Sequence, residues 1–302
     1  MEFEYKSEEK ERLDKWLALQ LSDMTRSHIK KIILAGLVKV NDQDTTVHHW
    51  LKNGDKVFYN PDKSIKKPAG DMIEPLIIEQ TEEYLILEKP HGLLIHPTDQ
   101  GETNTLADWI VAKFPKIKKI GDDPQRPGIV HRLDKEVSGL VVIAATQDSF
   151  DNLKKQFQDR TIKKEYVALV HGKLINNKGE INTPIERDKK TGLMKVQTAK
   201  VSGKIALTLY EVSKKFINYT LVRVVIKTGR MHQIRAHFYS IGHSIIGDKL
   251  YKTKDIRKKK KVLTSRIFLH ADYLKFKDLS GEWREYRSDL PQELEKLLDN
   301  IK

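Results

Sequence analysis

The chain has 302 residues, a length that predicts two domains. Its 55 Lys and Arg residues outnumber its 42 Asp and Glu residues, and the formal net charge of +13 favours a polyanionic partner, with nucleic acid ahead of an acidic membrane surface. The complete lack of cysteine excludes disulfide frameworks, zinc ribbons, iron–sulfur sites and thiol catalysis, and it fits a reducing, cytoplasmic setting.

Neither a secretory signal nor a membrane span is expected. The first six residues are charged and lack an apolar stretch. The longest uninterrupted apolar run, from Leu140 to Ala145, is far too short to cross a bilayer. Hydrophobic residues make up 39% of the chain, which is enough for a packed core and argues against wholesale disorder.

The first sixty residues have the pattern of one compact unit. Apolar residues recur at helical spacing in two segments, one with Leu13, Trp16, Leu17 and Leu21 and one with Ile29, Ile32 and Ile33. Thr25 is expected to cap the second helix, and Gly36 is expected to end it. Short strands are predicted at Val38–Val40 and Lys56–Tyr59, between turns rich in Asn and Asp.

The segment 61–72 contains prolines, a glycine and several charged residues, which favours an interdomain linker. The alternative is a long surface loop within one domain. We expect the linker, because a helix-rich pattern before this segment gives way to a strand-rich pattern after it. The predicted organisation is therefore a domain at 1–60, a linker at 61–72 and a larger domain at 73–302.

Strands dominate the larger domain, with helices between them. The predicted strands are Tyr84–Glu88, Leu140–Ala145, Lys164–Val170, Leu207–Val212 and Tyr219–Lys227. Helices are predicted near 106–113, from Thr146 to Phe157 and behind Pro291. Because strands and helices do not alternate strictly, the pattern predicts an α+β domain around a mixed sheet.

Several enzyme classes can be excluded from motifs. No two glycines are separated by one residue, so the dinucleotide fingerprint and the kinase glycine loop are missing. No P-loop and no His-Glu-x-x-His motif occurs either. The eleven histidines come without cysteine or paired carboxylates at ligand spacing, so no metal site is expected.

Four polar clusters stand out, at 88–97, 128–140, 160–170 and 228–237. Each contains a residue that has an ordinary explanation when it is taken alone. Asp134 lies between two apolar runs and could bond turn amides, Tyr166 lies in a predicted strand and could be core, and Arg235 could be a surface charge on a helix. The basic run Arg257–Lys261 is expected to be a solvated loop that can also touch RNA phosphate.

The order and spacing of these clusters resemble the RluA-type pseudouridine synthases, enzymes that convert uridine in RNA to its carbon-linked isomer. The resemblance extends from about Tyr84 to about Leu274 and is carried by two motifs. One is His131-Arg132-Leu133-Asp134 followed by Ser138-Gly139. The other is Thr228-Gly229-Arg230 with His232-Gln233-Ile234-Arg235. The resemblance implies a catalytic domain with a mixed, mainly antiparallel sheet.

The N-terminal unit resembles the alpha-L RNA-binding domain, as in ribosomal protein S-four. The segments 12–17 and 36–41 carry this match. Such domains precede several kinds of RNA enzyme. The combined architecture is therefore expected to be α+β, with a small alpha-L domain in front of a pseudouridine synthase domain.

The resemblance implies a role for each of three residues. Asp134 is the catalytic carboxylate, Arg235 forms an ion pair with it, and Tyr166 offers a ring to stack on uracil and a hydroxyl to move a proton. The reaction involves no redox change and no net group transfer, so no cofactor is expected. The target uridine has to leave its stack to reach the pocket.

RNA is the expected partner, with large-subunit ribosomal RNA as first choice and transfer RNA as second. We expect no membrane partner and a monomer without an obligate protein partner. The expected phosphate contacts come from cationic residues in both domains. They are Arg12, Arg26, Lys30, Lys31, Arg132, Lys135 and Arg230.

Two other functions are weighed against the isomerase. A catalytically silent RNA-binding protein of the same fold is disfavoured because Asp134, Tyr166 and Arg235 are all present, and drift would first erase the ion pair. An RNA methyltransferase with an alpha-L domain would need a glycine-rich cofactor loop, which the sequence lacks. For the N-terminal domain, the alternative to RNA binding is a cap that only stabilises the catalytic core.

Overall fold

The computed structural model describes residues 1–21, 24, 26–34, 36–60, 73–98, 102–188, 191–197, 203–253, 256 and 264–301. The side chains of residues 26–28 and 31 are also outside the described part, as are Thr25, the predicted linker 61–72 and the basic run Arg257–Lys261. The chain divides into two compact units. The first consists of Met1–Met72 with Pro97–Asn104, and the second of Ile73–His96 with Thr105–Lys302.

The first unit packs two helices and short strands around an apolar core. Its strands are β1 (Glu2–Glu4), β2 (Glu11–Arg12), β3 (Val38–Val40), β4 (Gln43–Asp44), β5 (Trp50–Leu51) and β6 (Lys56–Tyr59), and its helices are α1 (Leu13–Gln20) and α2 (Arg26–Leu34). Strands β1, β6, β3 and β4 form one sheet in that order, and β2 pairs with β5. Both predicted helices and both predicted strands are confirmed.

The core of this unit contains the predicted apolar faces of the two helices. Leu13 and Leu17 of α1 are fully buried, and so is Ile29 of α2. Gly36 ends α2 as predicted, in the left-handed region at φ +70°. The amide of Leu37 then donates to the carbonyl of Ile32, which satisfies one of the last carbonyls of the helix.

The second unit is built on a larger sheet. Its strands are β7 (Leu76–Gln80), β8 (Tyr84–Lys89), β9 (Ser138–Ala144), β10 (Lys163–His171), β11 (Lys178–Asn182), β12 (Ile185–Arg187), β13 (Met194–Val196), β14 (Leu207–Lys215), β15 (Tyr219–Ile226), β16 (Leu269–Lys277) and β17 (Trp283–Arg287). Its helices are α3 (Leu106–Lys113), a 3-10 helix (Pro115–Lys119), α4 (Gln147–Gln158), α5 (Gln233–Ser240) and α6 (Gln292–Asp299).

The main sheet has nine strands among the described residues, in the order β11-β14-β15-β10-β16-β9-β8-β7, with β17 also paired to β16. All of these pairs are antiparallel except β16 with β9. The five predicted strands are confirmed within a few residues at their ends. The central strand β16 was not predicted.

Two helices of the second unit, α3 and α4, begin at side-chain caps. Thr146 caps α4 as predicted, because its hydroxyl accepts the amide of Ser149 at 3.2 Å. Pro291 stands at the start of α6, whose Leu294 and Leu297 are buried in a cluster with Phe268. These contacts fix the outer layer against the sheet.

Gly139 allows β9 to lie directly beside β16. Its φ of +120° is a conformation that L side chains rarely adopt, and an added Cβ would stand 2.2 Å from the carbonyl oxygen of Ala271. The parallel pairing of Ser138 with His270 and of Gly139 with Ala271 depends on this close approach. The turn that precedes β9 is thereby fixed in place, and this turn carries Asp134.

Candidate active site

A cavity of about 510 Å³ opens in the second unit. This volume lies within the range of about 300–1,000 Å³ that is typical of small-molecule sites. Its walls come from the segment before β9, from the start of β10, and from the end of β15 through α5. The lining includes one carboxylate, Asp134, and seven cationic side chains. These are Arg126, Arg132, Arg160, Lys164, Lys227, Arg230 and Arg235.

Asp134 lies in a turn, as predicted, where its carbonyl accepts the amide of Val137 at 3.0 Å. Its side chain retains 16% exposure and faces the cavity. Nη1 of Arg235 donates to Oδ2 at 3.2 Å, and Nε2 of His232 stands 3.8 Å from the same oxygen. Both of these contacts, within the described part of the chain, are made to Oδ2.

Arg235 is almost fully buried in α5, with a side chain that is 3% exposed. The alternative interpretation of Arg235 as a surface charge is therefore wrong. The structure brings Arg235 to Asp134, as the resemblance implies. Burial works against its cation, but the bonds and negative charges of Asp248 and Asp134 raise its pKa overall, so it stays charged.

The sequence analysis assigns no role to Asp248, and the structure places this residue against the guanidinium of Arg235. Nε of Arg235 donates to Oδ2 at 2.7 Å, and Nη2 donates to Oδ1 at 2.9 Å. The Asp248 side chain is fully buried. Burial alone would raise its pKa, but the bonds and charge of Arg235 hold the pKa below its ordinary value.

Tyr166 lies in β10 and is 6% exposed. The hydroxyl-bearing ring lines the cavity together with Lys164, which precedes it by two residues and so points to the same face of the sheet. Burial, and after it the negative charge of Asp134, raise the pKa of the Tyr166 hydroxyl. The phenol therefore keeps its proton at neutral pH.

His131 has a structural position in the motif that carries Asp134. Its Nε2 accepts the amide of Val142 at 3.0 Å, and its ring stacks on Phe157 with 4.7 Å between centroids. Burial lowers its pKa to about 3, so the ring is neutral. These contacts tie the segment before Asp134 to β9.

Lys89 is a buried cation that sequence reasoning missed. Its Nζ donates to the carbonyls of Pro90 and Leu93, both at 2.8 Å, and of Lys135 at 3.3 Å. Burial lowers its pKa to about 7, against the opposing charge of Asp134. The bond to Lys135 holds the turn immediately after Asp134.

The predicted phosphate contacts lie in different surroundings. Arg132 and Lys135 are exposed, and half-buried Arg230 lines the cavity with its Nε donating to the carbonyl of Ile205. Lys30 is exposed on α2, whereas the side chains of residues 26 and 31 are outside the described part. Arg12 forms a two-bond ion pair with buried Asp14, with both distances 3.0 Å. All seven contacts remain predictions.

In the described ranges, no three His, Asp or Glu side chains lie together in a way that could hold a metal ion. No helix within those ranges is both long and apolar enough to cross a bilayer.

Comparison with known proteins decides the family. Residues 83–240 match the RNA pseudouridylate synthase family, and residues 11–57 match the S4 domain. The chain belongs to the RNA pseudouridylate synthase family. An Aquifex aeolicus protein named uncharacterized RNA pseudouridine synthase is 38% identical, over 97% of this chain and 94% of its own length. Ribosomal large subunit pseudouridine synthase D of Neisseria meningitidis is 32% identical, over 96% of this chain and 79% of its own length.

Solved structures show the same fold. Human RNA pseudouridylate synthase domain containing 1 is similar with a TM-score of 0.60 and 24% identity, over 74% of this chain and 87% of that structure. The predicted class is confirmed: an α+β protein with an N-terminal S4 domain and a synthase domain around a mixed, mostly antiparallel sheet. The chain is an RNA pseudouridine synthase, an isomerase.

Proposed function

We propose that this synthase isomerises specific uridines of large-subunit ribosomal RNA, with Asp134 as its catalytic carboxylate. The observation that carries the proposal is the position of Asp134, which is the one carboxylate lining a cationic cavity and is held there by Arg235. The S4 match and the Neisseria relative named for the large ribosomal subunit support the choice of RNA. A cytoplasmic location and a monomeric state stay predictions from the sequence.

The reaction breaks the bond between the sugar and a ring nitrogen, turns the uracil and rejoins it through a ring carbon. A carboxylate can start it by attack on the base, by attack on the sugar or by removal of a sugar proton. Each route needs an oxygen that can reach the nucleoside. Oδ2 of Asp134 accepts a bond from Arg235, and we propose that Oδ1 is the oxygen that meets the nucleoside.

Arg235 fixes the direction of that carboxylate. Its planar guanidinium holds Asp248 with two bonds and leaves Nη1 for Asp134. Lys could not reproduce this arrangement, because an ammonium lacks the planar fork. We infer that Arg235 sets the angle at which Asp134 meets the substrate.

Tyr166 is the residue that we expect to contact the uracil base. Stacking of one base on an aromatic ring contributes about 1–3 kcal/mol, and the Tyr166 ring is available at the cavity wall. Because its hydroxyl stays protonated, it can donate a hydrogen bond to the turning uracil. Its buried surroundings also keep water from the detached base.

The target uridine has to be flipped out of its stack to enter a cavity of this kind. Flipping costs about a few kcal/mol, and the cost is smallest in loops and single strands. We propose that phosphate contacts offset this cost, made by Arg132 and Arg230, which line the cavity, and by the exposed residues Lys135 and Lys30.

Mapping of pseudouridines in total RNA tests the substrate. Cells with and without the gene are compared, and we expect one or a few pseudouridines of large-subunit ribosomal RNA to disappear with the gene. If pseudouridines disappear only from transfer RNA, the substrate is transfer RNA and not ribosomal RNA. A complementing plasmid with the wild-type gene is the control that restores the lost positions.

Asp134→Asn tests the catalytic assignment. The change is nearly isosteric, so we expect the fold and RNA binding to survive while tritium release from 5-tritiated uridine RNA falls to background. Glu136→Gln is the matched control, because it removes a carboxylate two residues further along and should keep wild-type turnover. Turnover of Asp134→Asn near the wild-type rate would reject Asp134 as the catalytic residue.

A further inference from the structure

We propose that Asp248 is a positioning residue of the isomerase reaction, because this one buried carboxylate orients both side chains that face Asp134. It holds Arg235 directly, and it holds His232 through Tyr251. The proposal rests on the catalytic role of Asp134 proposed above. It adds a residue whose effect on turnover is separate from its effect on RNA binding.

The contact of Asp248 with Arg235 is tighter than the contact of Arg235 with Asp134. The pair with Asp248 has two bonds of 2.7 and 2.9 Å between side chains that are 0% and 3% exposed. The pair with Asp134 has one bond of 3.2 Å, and Asp134 is partly exposed. The guanidinium is therefore anchored on Asp248 and presents its remaining nitrogen to Asp134.

The same carboxylate also holds Tyr251. Oδ1 of Asp248 accepts the amides of Leu250 at 2.8 Å and of Tyr251 at 3.0 Å. The centre of the Arg235 guanidinium lies 5.3 Å from the centroid of the Tyr251 ring, so the ring covers the cation as well. Asp248 thus fixes the backbone from which Tyr251 reaches the site.

Tyr251 determines which nitrogen of His232 carries the proton. Its hydroxyl accepts the amide of Met194 at 2.9 Å and lies 3.1 Å from Nδ1 of His232. Because the hydroxyl already accepts one hydrogen bond, we infer that it directs its hydrogen at Nδ1, which then accepts it. Burial lowers the pKa of His232 and favours the neutral ring, and with Nδ1 as the acceptor the ring proton is on Nε2. That nitrogen is the one that stands 3.8 Å from Oδ2 of Asp134.

The backbone on both sides of this arrangement is constrained. His232 has a φ of +53°, in the left-handed region that non-glycine residues rarely adopt. Gly247 precedes Asp248 with a φ of +76°, and an added Cβ would stand 1.9 Å from the carbonyl oxygen of Arg266. Strain of this kind persists where the surrounding contacts determine the geometry, and it clusters at functional sites.

Steady-state kinetics of Asp248→Asn test the proposal on a 5-tritiated transcript of large-subunit ribosomal RNA. We expect kcat to fall by about 100-fold, the effect of misplacing a reacting group by about 1 Å. KM should stay within about twofold of wild type, since Asp248 is buried away from the RNA backbone. A wild-type kcat, or a change confined to KM, would overturn the proposal.

Asp278→Asn is the matched control. Asp278 is also buried, accepts Nε of Arg284 at 2.7 Å and accepts the amide of Glu282 at 3.0 Å, but Arg284, unlike Arg235, is not among the described residues that line the cavity. Both variants should lower the melting temperature, and Asp278→Asn should keep the wild-type kcat. An equal loss of kcat in both variants would make Asp248 merely structural and overturn the proposal.

A spectroscopic measurement decides the matter without any RNA. The ¹⁵N shifts of labelled histidine report the protonated nitrogen of His232, whose signal is assigned by its loss in His232→Gln. We expect the Nε2–H form in wild type and a mixed or reversed form in Tyr251→Phe and in Asp248→Asn. Identical His232 shifts in wild type and Tyr251→Phe would overturn the proposal.

The kinetic and spectroscopic measurements also distinguish failure of the Asp248 proposal from failure of the proposed function on which it rests. If wild-type protein releases no tritium from this transcript, the choice of ribosomal RNA fails, and the His232 shifts alone decide whether Asp248 and Tyr251 orient the site. If Asp248→Asn does not fold, Tyr251→Phe takes its place, with an expected fall in kcat of about tenfold at unchanged KM. A wild-type kcat in folded Tyr251→Phe would overturn the proposal.

Discussion

Each unit of the molecule contains an arginine bound to an aspartate, and the two pairs differ in what the aspartate faces. In the first unit, Arg12 donates to both oxygens of Asp14, whose side chain is 0% exposed. In the second unit, Arg235 donates to one oxygen of Asp134, and the Asp134 side chain lines the cavity with 16% exposure.

We propose from this difference that the same kind of ion pair is structural in one place and chemical in another. Asp14 offers both oxygens to its arginine, as a carboxylate that serves the fold would do. Asp134 shares its arginine with a second carboxylate, Asp248, which accepts two bonds from the guanidinium, and we propose that Asp134 thereby keeps an oxygen for substrate. The following four predictions test this comparison.

Arg235→Met should have the largest effect, because it strips two carboxylates of their cation at once. Removing one partner of a buried ion pair costs about 3–5 kcal/mol. We therefore expect a melting temperature lower by about 10 °C together with a loss of turnover. Differential scanning calorimetry and tritium release measure the two effects, and an unchanged melting temperature would contradict the burial of this pair.

Arg12→Met should lower stability without lowering the turnover rate at saturating RNA. It leaves the buried carboxylate of Asp14 without its two-bond partner, which costs about 1–3 kcal/mol. The kcat at saturating RNA should equal that of wild type, since the described residues that line the cavity belong to the second unit. Loss of kcat in protein shown to be folded would mean that the two pairs are not functionally distinct.

Lys89 extends the comparison to a buried cation bonded to carbonyl oxygens. The pKa of Lys89 is about 7 in the folded protein, and its ordinary value is about 10.5. Between pH 7 and pH 10.5, the unfolded chain therefore binds more protons at this residue than the folded protein does. Its contribution to stability should therefore rise as the pH rises from about 7 to about 10.5, by at most about 1.4 kcal/mol per pH unit. Lys89→Met should flatten this rise in urea unfolding, whereas exposed Lys296→Met should leave it unchanged.

Lys30→Gln should have the smallest effect and tests the RNA-binding role of the first unit. Loss of one phosphate contact on a single strand should reduce the salt dependence of binding by about 0.7 in the log–log slope. Filter binding of target RNA at several salt concentrations measures it, with Lys296→Gln as control. Equal slopes in both variants would favour the alternative in which this unit only stabilises the protein.

Local patterns were sufficient to predict much of the fold. Apolar spacing predicted α1, α2 and the buried strands β9 and β10, and Thr146 predicted the start of α4. Strand β16 was missed because His270 and Asp272 interrupt its apolar alternation. His270 is buried there because it is hydrogen-bonded to Ser138 and Ser288, which are distant in sequence.

The candidate site was only partly predictable for the same reason. Motif spacing pointed to Asp134, Tyr166 and Arg235, and the structure places all three at one cavity. The burial of Lys89 and the two hydrogen bonds between Arg235 and Asp248 could not be predicted. Each depends on contacts between separate elements, which leave no periodic signal in the sequence.

Parallel measurement of Asp14→Asn and Asp134→Asn tests most directly the claim that one carboxylate serves the fold and the other serves the chemistry. For each variant, the melting temperature and tritium release from 5-tritiated ribosomal RNA are compared with wild type. We predict that Asp14→Asn loses stability and keeps kcat, while Asp134→Asn keeps its melting temperature and releases no tritium. Tritium release by Asp134→Asn at the wild-type rate would contradict the account.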